Sequence, residues 1–360
     1  MPRDSARHIL TYAETLAGGG VERAQLRLAG DWLAAGRRVT LVLGSRAGPL
    51  AAELPPGIET IEFGAPSYAA LFALPRYVRS AAPDVIFCPG NYYTSIAAWT
   101  RLRLGADCPP IIAKVSNALL RADQSRVGAA SYRWWLRRHP RFIDQCVAMS
   151  PAMASQAAAL MGFPPDRISV IANPPARHAA GGAAPALPAG RFVLGVGRLE
   201  PQKRWERLIT ALPRLKDTGV SLVILGDGSA RHSLEALIVE LSLDDRVTLP
   251  GHVLDPTPAL ARAAVVALTS DYEGVPGVLR EALAHGAPVV STDSSIAVRE
   301  LVSTPDLGSV VSIGDPDALI AALDHWLAPG RTRPTPVPEP GADAAMSYLS
   351  LFDRLVGARA

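Results

Sequence analysis

The sequence predicts an α/β protein made of two doubly wound domains, each built on a parallel sheet. Short apolar runs alternate with amphipathic segments along the first half of the chain, which is the pattern of buried strands joined by helical crossovers. The alternation stops at residues 173–190, where Pro, Gly and Ala predominate and no apolar face recurs. A second alternating series then follows. With 360 residues, 49% of them hydrophobic, the chain is long enough for two cores.

The N-terminal domain is predicted at residues 1–172. Its expected strands lie, in order, in the runs HILTYA, VTLVLG, DVIFCPG, PIIAKVS, QCVAMS and ISVIAN. Helical spacing appears after the first run in VERAQLRLAGDWLAAG, near residues 91–103, and in PAMASQAAALMG. Parallel strands require such crossovers, so the segments predict a doubly wound sheet.

The C-terminal domain is predicted at residues 191–328, after a linker at residues 173–190. Its expected strands lie in FVLGVG, VSLVILG, RVTLPG, VVALTS, PVVSTD and SVVSIG, with helix-like segments between them. A proline-rich connection at residues 329–343 is expected to lack regular structure. Residues 344–356 return to helical spacing and predict a last helix whose apolar face consists of Leu349, Phe352, Leu355 and Val356.

Composition excludes several classes of protein. The net charge of +3 rests on arginine and by itself favours no class of partner; nucleic-acid binding is not expected, because no recognised nucleic-acid-binding module occurs. The three cysteines are widely spaced, which predicts neither a disulfide framework nor a zinc site and suits a reducing cytoplasm. The sequence shows no signal peptide and no apolar run of the roughly 20 residues that a membrane span needs. We therefore expect a cytoplasmic protein.

Two carboxylates eight residues apart mark the segment EGVPGVLRE. Glu273 lies in a predicted loop, and Glu281 lies one turn inside a helix that starts near Gly277. The free N–H groups of Gly277 and Val278 and the positive end of the helix suit a phosphate. Carboxylates beside a phosphate are favourable only if they accept hydrogen bonds from neutral hydroxyls of the same ligand. A phosphorylated sugar satisfies both conditions, and Gly274 lets it approach the loop.

Two cations follow a predicted buried strand in the segment GVGRLEPQK. Arg198 and Lys203 stand five residues apart before a helix, where positive charge is unfavourable unless an anion binds. A guanidinium fork and a compact ammonium together suit a diphosphate leaving group. The sequence therefore predicts that both side chains bind one diphosphate.

Glycines follow two other predicted strands. Gly18, Gly19 and Gly20 precede a helix, and Gly226 follows VSLVIL; each site allows close approach of a ligand, with a flexible connection as the alternative for the first. GGGVER and GVGRLE both lack a complete dinucleotide fingerprint, and no Walker motif occurs. The Asp315-Pro-Asp317 segment lies at a helix start, where an aspartate caps N–H groups, so no metal site is predicted.

Together, these segments resemble family 4 of the retaining glycosyltransferases, which have the GT-B fold. The resemblance rests on GGGVER, Arg198 with Lys203, the segment from LVILGDG to LPGHV, and the Glu-x7-Glu pair. It implies two Rossmann-like domains that face a central cleft, with the terminal helix packing back onto the first domain. Where many relatives have Asn the chain has Gly277, and where some have His it has KVSN.

The resemblance also implies roles for individual residues. Arg198, Lys203 and Glu273 would be catalytic, with Glu273 near the hexose. Donor binding would fall to Glu281, which would contact ribose hydroxyls, and to a set of backbone positions: Gly19, Gly20, Gly226, Gly274, Gly277 and Val278. Lys114 and Asn117 would belong to the acceptor side. No metal or other cofactor would be required.

A basic and aromatic segment at residues 121–142 is not explained by donor binding. Arginines alternate there with interfacial aromatics, including Trp134, Trp135, Arg137 and Arg138. Such a surface can contact an anionic leaflet; the alternative is an ordinary helix that buries its tryptophans and solvates its arginines. The first interpretation places the protein on the inner face of the cytoplasmic membrane.

We therefore expect a retaining glycosyltransferase that moves a sugar from a nucleotide-diphosphate sugar, first of all a UDP-sugar, to a hydroxyl of a lipid-linked or polysaccharide glycan. Two other classes share the motifs. A nucleotide-sugar epimerase of the same fold would bind the donor without an acceptor, and a non-catalytic sugar-binding subunit would bind without turnover.

Overall fold

The structure, a computed structural model, describes residues 5–120, 125–177 and 185–359. The chain divides into two compact units. The first combines the N-terminal half, to residue 174, with residues 340–360. The second comprises the described residues between 175 and 339. Each unit contains one parallel sheet.

The first unit is built on seven parallel strands. They are β1 (His8–Ala13), β2 (Arg38–Leu43), β3 (Glu59–Glu62), β4 (Val85–Cys88), β5 (Ile111–Val115), β6 (Gln145–Ala148) and β7 (Ile168–Val170). Their order in the sheet is β3-β2-β1-β4-β5-β6-β7. The helices of this half are α1 (Gly20–Ala34), α2 (Leu74–Ala81), α3 (Thr94–Leu104), α4 (Arg126–Leu136) and α5 (Pro151–Met161).

The second unit is built on six parallel strands. They are β8 (Phe192–Val196), β9 (Ser221–Leu225), β10 (Val247–Gly251), β11 (Val265–Leu268), β12 (Val289–Thr292) and β13 (Gly308–Val311), in the order β10-β9-β8-β11-β12-β13. The helices are α6 (Glu206–Ala211), α7 (Arg231–Glu240), α8 (Thr257–Arg262), α9 (Gly277–Ala284), α10 (Ile296–Leu301) and α11 (Pro316–Leu327). These two sheets confirm the predicted fold class.

Both sheets owe their burial to β-branched and aliphatic runs. β4 and β11 are buried at every position, as expected for central strands covered on both faces. The cap expected for the last helix of the second half is present, because Asp315 accepts the N–H of Ala318 at 2.9 Å. Asp317 instead pairs with Arg214 at 2.6 Å.

The last helix, α12 (Ala344–Gly357), belongs to the first unit. Its rings Tyr348 and Phe352 are buried and contact Trp32 of α1 edge-on, with centroids 5.8 and 5.3 Å away. Phe87 of β4 completes this cluster, 5.3 Å from both Trp32 and Tyr348. The apolar face of α12 therefore forms part of the core of the first unit.

None of the described helices combines the length and the apolarity that crossing a bilayer would require.

Replacing Phe352 with Ala should lower the free energy of unfolding of the first unit by about 3–5 kcal/mol, because a buried ring leaves a cavity against Trp32. Met346 lies on the same helix with 60% of its surface exposed, so Met346→Ala is the matched control and should change stability by less than about 0.5 kcal/mol. Urea unfolding followed by tryptophan fluorescence measures both. Equal stability of the two variants would contradict the packing role of α12.

Candidate active site

The strand order of the second unit determines where a ligand site can form. β8 and β11 are hydrogen-bonded neighbours, although β9 and β10 lie between them in the chain and extend the sheet on the other side of β8. The order therefore reverses between β8 and β11, and loops that leave the carboxyl ends of such strands separate to form a crevice. Arg198 and Lys203 follow β8, and Glu273 follows β11.

Lys203 and Glu273 form an ion pair at this point. The ammonium Nζ lies 2.6 Å from Oε1 of Glu273, and the hydroxyl of Ser270 donates to the same oxygen at 2.6 Å. Only 15% and 11% of the two side chains is exposed, so each charge is largely removed from water. A carboxylate this buried requires a partner, and Lys203 supplies it. Two residues seventy positions apart in sequence thus meet in one site.

A second layer of contacts fixes the loop that carries Lys203. Asp271 accepts from Nε of Arg204 at 2.6 Å and from Nη2 of Arg207 at 2.7 Å. Gln202 donates to the carbonyl of Tyr272 at 2.6 Å. Arg204 adopts a left-handed conformation with φ of 53°, which reverses the chain directly after Lys203. The loops after β8 and β11 are thereby joined on both sides of the ion pair.

Glu281 lies one turn inside α9, as the motif predicts. Its Oε1 is 3.5 Å from where a Cβ of Gly277 would be, so the carboxylate lies over the first residue of the helix. No side chain caps this N-terminus, and Gly277 is exposed while Val278 is half-buried. The first turn therefore presents backbone N–H groups beside a carboxylate, which is the arrangement that a phosphate with an attached hydroxyl-bearing group requires.

Arg198 is exposed, and no residue in the described part of the chain pairs with its guanidinium. Its backbone is fixed, because Nε1 of the buried Trp205 donates to the Arg198 carbonyl at 2.9 Å. A cation with a fixed backbone and an unengaged side chain is available to an anionic ligand.

Packing accounts for Gly226 of this unit. Gly226 has φ of +149°, and a Cβ there would collide with the carbonyl oxygen of Gly197. Gly274 is buried and its carbonyl accepts from the hydroxyl of Ser295 at 2.6 Å. Close approach of two backbones therefore explains Gly226 without a ligand.

Three residues that the sequence assigned to ligand binding, Gly19, Gly20 and Asn117, lie in the first unit. Gly19 precedes α1, and a Cβ there would lie 2.5 Å from Oε2 of Glu22; Gly20 is exposed. Asn117 is half-buried, and its Oδ1 accepts the N–H of the next residue, Ala118, at 2.8 Å.

The structure differs from the expected acceptor contact of Lys114. This side chain is 1% exposed, and its Nζ donates to Oδ1 of Asn173 at 3.2 Å. Burial lowers the pKa of Lys114 to about 8. Lys114 is buried because β5 is a central strand and is covered on both faces. Its bond to Asn173 links β5 to the segment that follows β7. An internal structural role replaces the predicted contact.

Within the basic and aromatic segment, the helix α4 turns some side chains toward solvent and others toward the interior. Trp134 is 57% exposed, and the guanidinium of Arg138 lies 3.4 Å from its ring centroid. Trp135 faces inward: it stacks on Phe142 with centroids 5.3 Å apart, and its N–H is 3.4 Å from the hydroxyl of Thr94. The prediction that both tryptophans face outward was therefore wrong for Trp135, because consecutive helical residues point about 100° apart. Arg137 is exposed.

Sequence reasoning missed the residues that hold the Lys203 loop, namely Asp271, Arg204, Arg207 and Ser270. The signal available was weak: Asp271 lies two residues before Glu273, and basic residues flank Lys203.

Among the described residues, no group of three or more His, Cys, Asp or Glu side chains is arranged to hold a metal ion.

Two protein-family models match the chain. The model described as "Glycosyl transferase 4-like domain" matches residues 19–174, and "Glycosyl transferases group 1" matches residues 190–328. The matches fall on the two halves that carry the two sheets.

Curated relatives include glycosyltransferases of surface glycans. The chain is 37% identical over 143 residues to N-acetylgalactosamine-N,N'-diacetylbacillosaminyl-diphospho-undecaprenol 4-alpha-N-acetylgalactosaminyltransferase of Campylobacter jejuni. This match covers 40% of the chain and 39% of the relative. It is 26% identical over 267 residues to lipopolysaccharide 1,6-galactosyltransferase of Escherichia coli, covering 72% of the chain and 69% of the relative. The first match thus spans less than half of that relative's length.

Solved structures share the fold across the whole chain. The apo form of the lipopolysaccharide outer core galactosyltransferase WaaB has a TM-score of 0.65 at 20% identity, with 98% of this chain and 97% of that chain covered. Anabaena HepE in complex with UDP-glucose has a TM-score of 0.70 at 19% identity, with 98% of each chain covered.

Replacing Lys203 with Met should lower the free energy of unfolding by about 2 kcal/mol, because the buried Glu273 carboxylate loses its counter-charge. The double variant Lys203→Met, Glu273→Gln removes both charges and should recover most of that loss. Urea unfolding of the single variants and the double variant measures the coupling. A double variant no more stable than Lys203→Met would contradict a stabilising ion pair.

Proposed function

The chain belongs to the GT-B glycosyltransferases, and from that premise we propose that it moves a sugar from a UDP-sugar to a hydroxyl of a lipid-linked or polysaccharide glycan, with retention of the anomeric configuration. The observation that carries this proposal is the Lys203–Glu273 pair at the strand-order reversal of the second unit. A cation and a carboxylate in contact suit a ligand that joins a diphosphate to a hydroxyl-bearing sugar.

Each charged group has a distinct task in this proposal. Lys203 has three N–H donors, so it can keep Glu273 and still donate to a phosphate oxygen. Arg198 adds a second cation, and the first-turn N–H groups of Gly277 and Val278 receive the remaining phosphate charge. Glu273 accepts from a hexose hydroxyl and Glu281 from the ribose hydroxyls.

The reaction breaks the bond between the anomeric carbon and the diphosphate oxygen. A bond to the acceptor oxygen forms on the same face of the sugar, and the acceptor proton passes to the departing phosphate oxygen. The negative charge that develops on the leaving group is stabilised by Arg198 and Lys203. Since these cations provide the charge that a metal ion would otherwise supply, we propose that turnover needs no metal.

The choice of donor is supported by the HepE complex, in which a protein of the same fold holds UDP-glucose. The choice of acceptor class is supported by the relatives, which include an undecaprenol-diphosphate glycan transferase and a lipopolysaccharide galactosyltransferase.

The test is incubation with UDP-, GDP- and ADP-sugars, with and without lipid-linked glycan acceptors, analysed by NMR for product and anomeric configuration. Transfer with retention, unchanged by EDTA, supports the proposal. Isomerised donor without acceptor would identify an epimerase, and binding without product a non-catalytic subunit. Inversion at the anomeric carbon would contradict the retaining mechanism.

Replacing Arg198 with Ala should lower kcat by about a hundredfold, because one of two cations facing the leaving group is lost. Stability should be unchanged, since the guanidinium has no partner in the described chain. Arg191→Ala is the matched control: Arg191 is an exposed arginine of the same unit, paired with Asp217 at 3.4 Å, and its loss should leave kcat unaltered. Equal turnover of the two variants would remove Arg198 from the mechanism.

For the location of the protein, we propose peripheral contact of α4 with the anionic inner leaflet of the cytoplasmic membrane. Val127 is 81% exposed and Trp134 57% exposed on this helix. Several arginines share the segment and are exposed: Arg126, Arg133, Arg137 and Arg141. Exposed apolar side chains surrounded by arginines favour a lipid headgroup region, where the rings enter the interface and the cations meet phosphates.

Replacing Arg137 and Arg138 with Glu should abolish flotation with vesicles containing anionic phosphatidylglycerol, because two positive charges at the contact become negative. The control carries the same charge change at Arg76 and Arg354, two exposed arginines of the first unit outside α4, and should float like the parent protein. Unchanged flotation of the α4 variant would contradict membrane contact through this helix.

A further inference from the structure

The first unit has its own strand-order reversal, and the residues there differ in chemistry from those of the second unit. β1 and β4 are hydrogen-bonded neighbours, while β2 and β3 extend the sheet beyond β1. Glu14 directly follows β1, and Tyr92 lies in the turn after β4. The carboxyl ends of these two strands are where a doubly wound sheet binds its ligand.

Two tyrosines fix the position of Glu14. The hydroxyl of Tyr92 donates to Oε2 of Glu14 at 3.0 Å, and the backbone N–H of Glu14 donates to the hydroxyl of the buried Tyr93 at 3.1 Å. The Glu14 side chain itself is half-buried. One carboxylate oxygen is thus oriented by the phenol, and the carboxylate keeps further acceptor positions.

The ring of Tyr92 packs against Tyr68 and is otherwise largely exposed to solvent. Its own surface is 62% exposed. Tyr68 packs edge-on against it with centroids 4.8 Å apart, and the Tyr68 hydroxyl bonds to the Tyr92 carbonyl at 2.8 Å and to Ser95 at 2.6 Å. Phe72, 39% exposed, continues the aromatic strip 6.1 Å from Tyr68. An exposed ring this firmly supported presents a flat apolar surface of fixed position.

A flat ring beside an oriented carboxylate matches one class of ligand. A pyranose has an apolar face of C–H groups that packs on an aromatic ring, and hydroxyls at its edge that donate to carboxylate oxygens. A phosphate or an anionic lipid would be repelled by the Glu14 carboxylate, which lies beside the Tyr92 ring. A purely apolar ligand would leave the carboxylate desolvated.

We propose that Tyr92 and Glu14 form a subsite for a neutral pyranose of the acceptor glycan, with the sugar stacked on the Tyr92 ring and two hydroxyls donating to Glu14. The proposal rests on the glycosyltransferase function proposed above and names the acceptor chemistry that the first unit recognises.

The test uses the full chain and the methyl glycosides of glucose, galactose and N-acetylglucosamine as probes. Saturation-transfer NMR and chemical-shift titration measure their binding in the absence of nucleotide. At least one glycoside should bind the parent protein. Tyr92→Ala should weaken that binding about tenfold, and Glu14→Gln about as much through loss of a charged acceptor. Tyr92→Phe keeps the ring and should weaken binding only about twofold.

Met346→Ala, which removes an exposed apolar side chain from α12, is the control and should bind like the parent. Thermal unfolding checks that each variant folds. UDP binding, measured separately by calorimetry, should be the same in all of them. Failure of every glycoside to bind, or undiminished binding by Tyr92→Ala, would overturn the subsite. Absence of UDP binding in the parent would instead contradict the proposed function, and the glycoside titrations would still decide on the subsite.

Discussion

The reversal of strand order within each sheet is the constraint on which both sites depend. In each unit, the first strand of the unit hydrogen-bonds to the fourth, with the second and third extending on its far side. The connections after these two strands then lead away from the boundary in opposite directions, so the loops that follow the strands separate to leave a crevice. Polar side chains can therefore stand at the ends of buried central strands without being packed into the core. Lys203 with Glu273, and Glu14 with Tyr92, occupy equivalent places for this reason.

The Lys203–Glu273 pair shows how such a site is kept stable before a ligand arrives. Two largely buried charges cost several kcal/mol to desolvate, and they are tolerated only when they compensate each other and accept further hydrogen bonds. Ser270 supplies such a bond to Glu273, and the Asp271 contacts hold the backbone on the other side. The pair is thus pre-organised, and in the proposed function a diphosphate would meet a cation whose position requires no new ordering. Preorganised charge is worth more in a dry site than in water.

The sequence was sufficient for the architecture but not for every element. Central strands such as β8 and β11 are continuous apolar runs, and all six predicted strands of the second half are present. β3 was not predicted, because this edge strand has only four residues, an exposed glutamate on either side of two half-buried residues. Edge strands have one open side, so hydrophobicity marks them weakly.

Site residues show the same division. Motif spacing predicted that Glu281 would lie beside Gly277, since this is a local helical relation of four residues. The Asp271 network joins residues more than sixty positions apart and leaves no periodic trace, so sequence could not reveal it. Lys114 and Trp135 illustrate the opposite error: their residue types suggested a ligand or a surface, but the side of the strand or helix on which each stands decided its role.

The two units present complementary chemistry, which bears on how one chain could handle two substrates. The second unit offers cations and an uncapped helix N-terminus, which favour a diphosphate; the first offers an aromatic ring and carboxylates, which disfavour it. Under the two proposals made above, a diphosphate donor is therefore disfavoured beside Glu14, while a neutral glycan gains little from Arg198 and Lys203 and more from Tyr92 and Glu14. Charge alone would then assign each ligand to its own unit. Selection by charge needs no steric exclusion, so the acceptor-side residues can change the sugar they recognise without disturbing the donor-side ion pair.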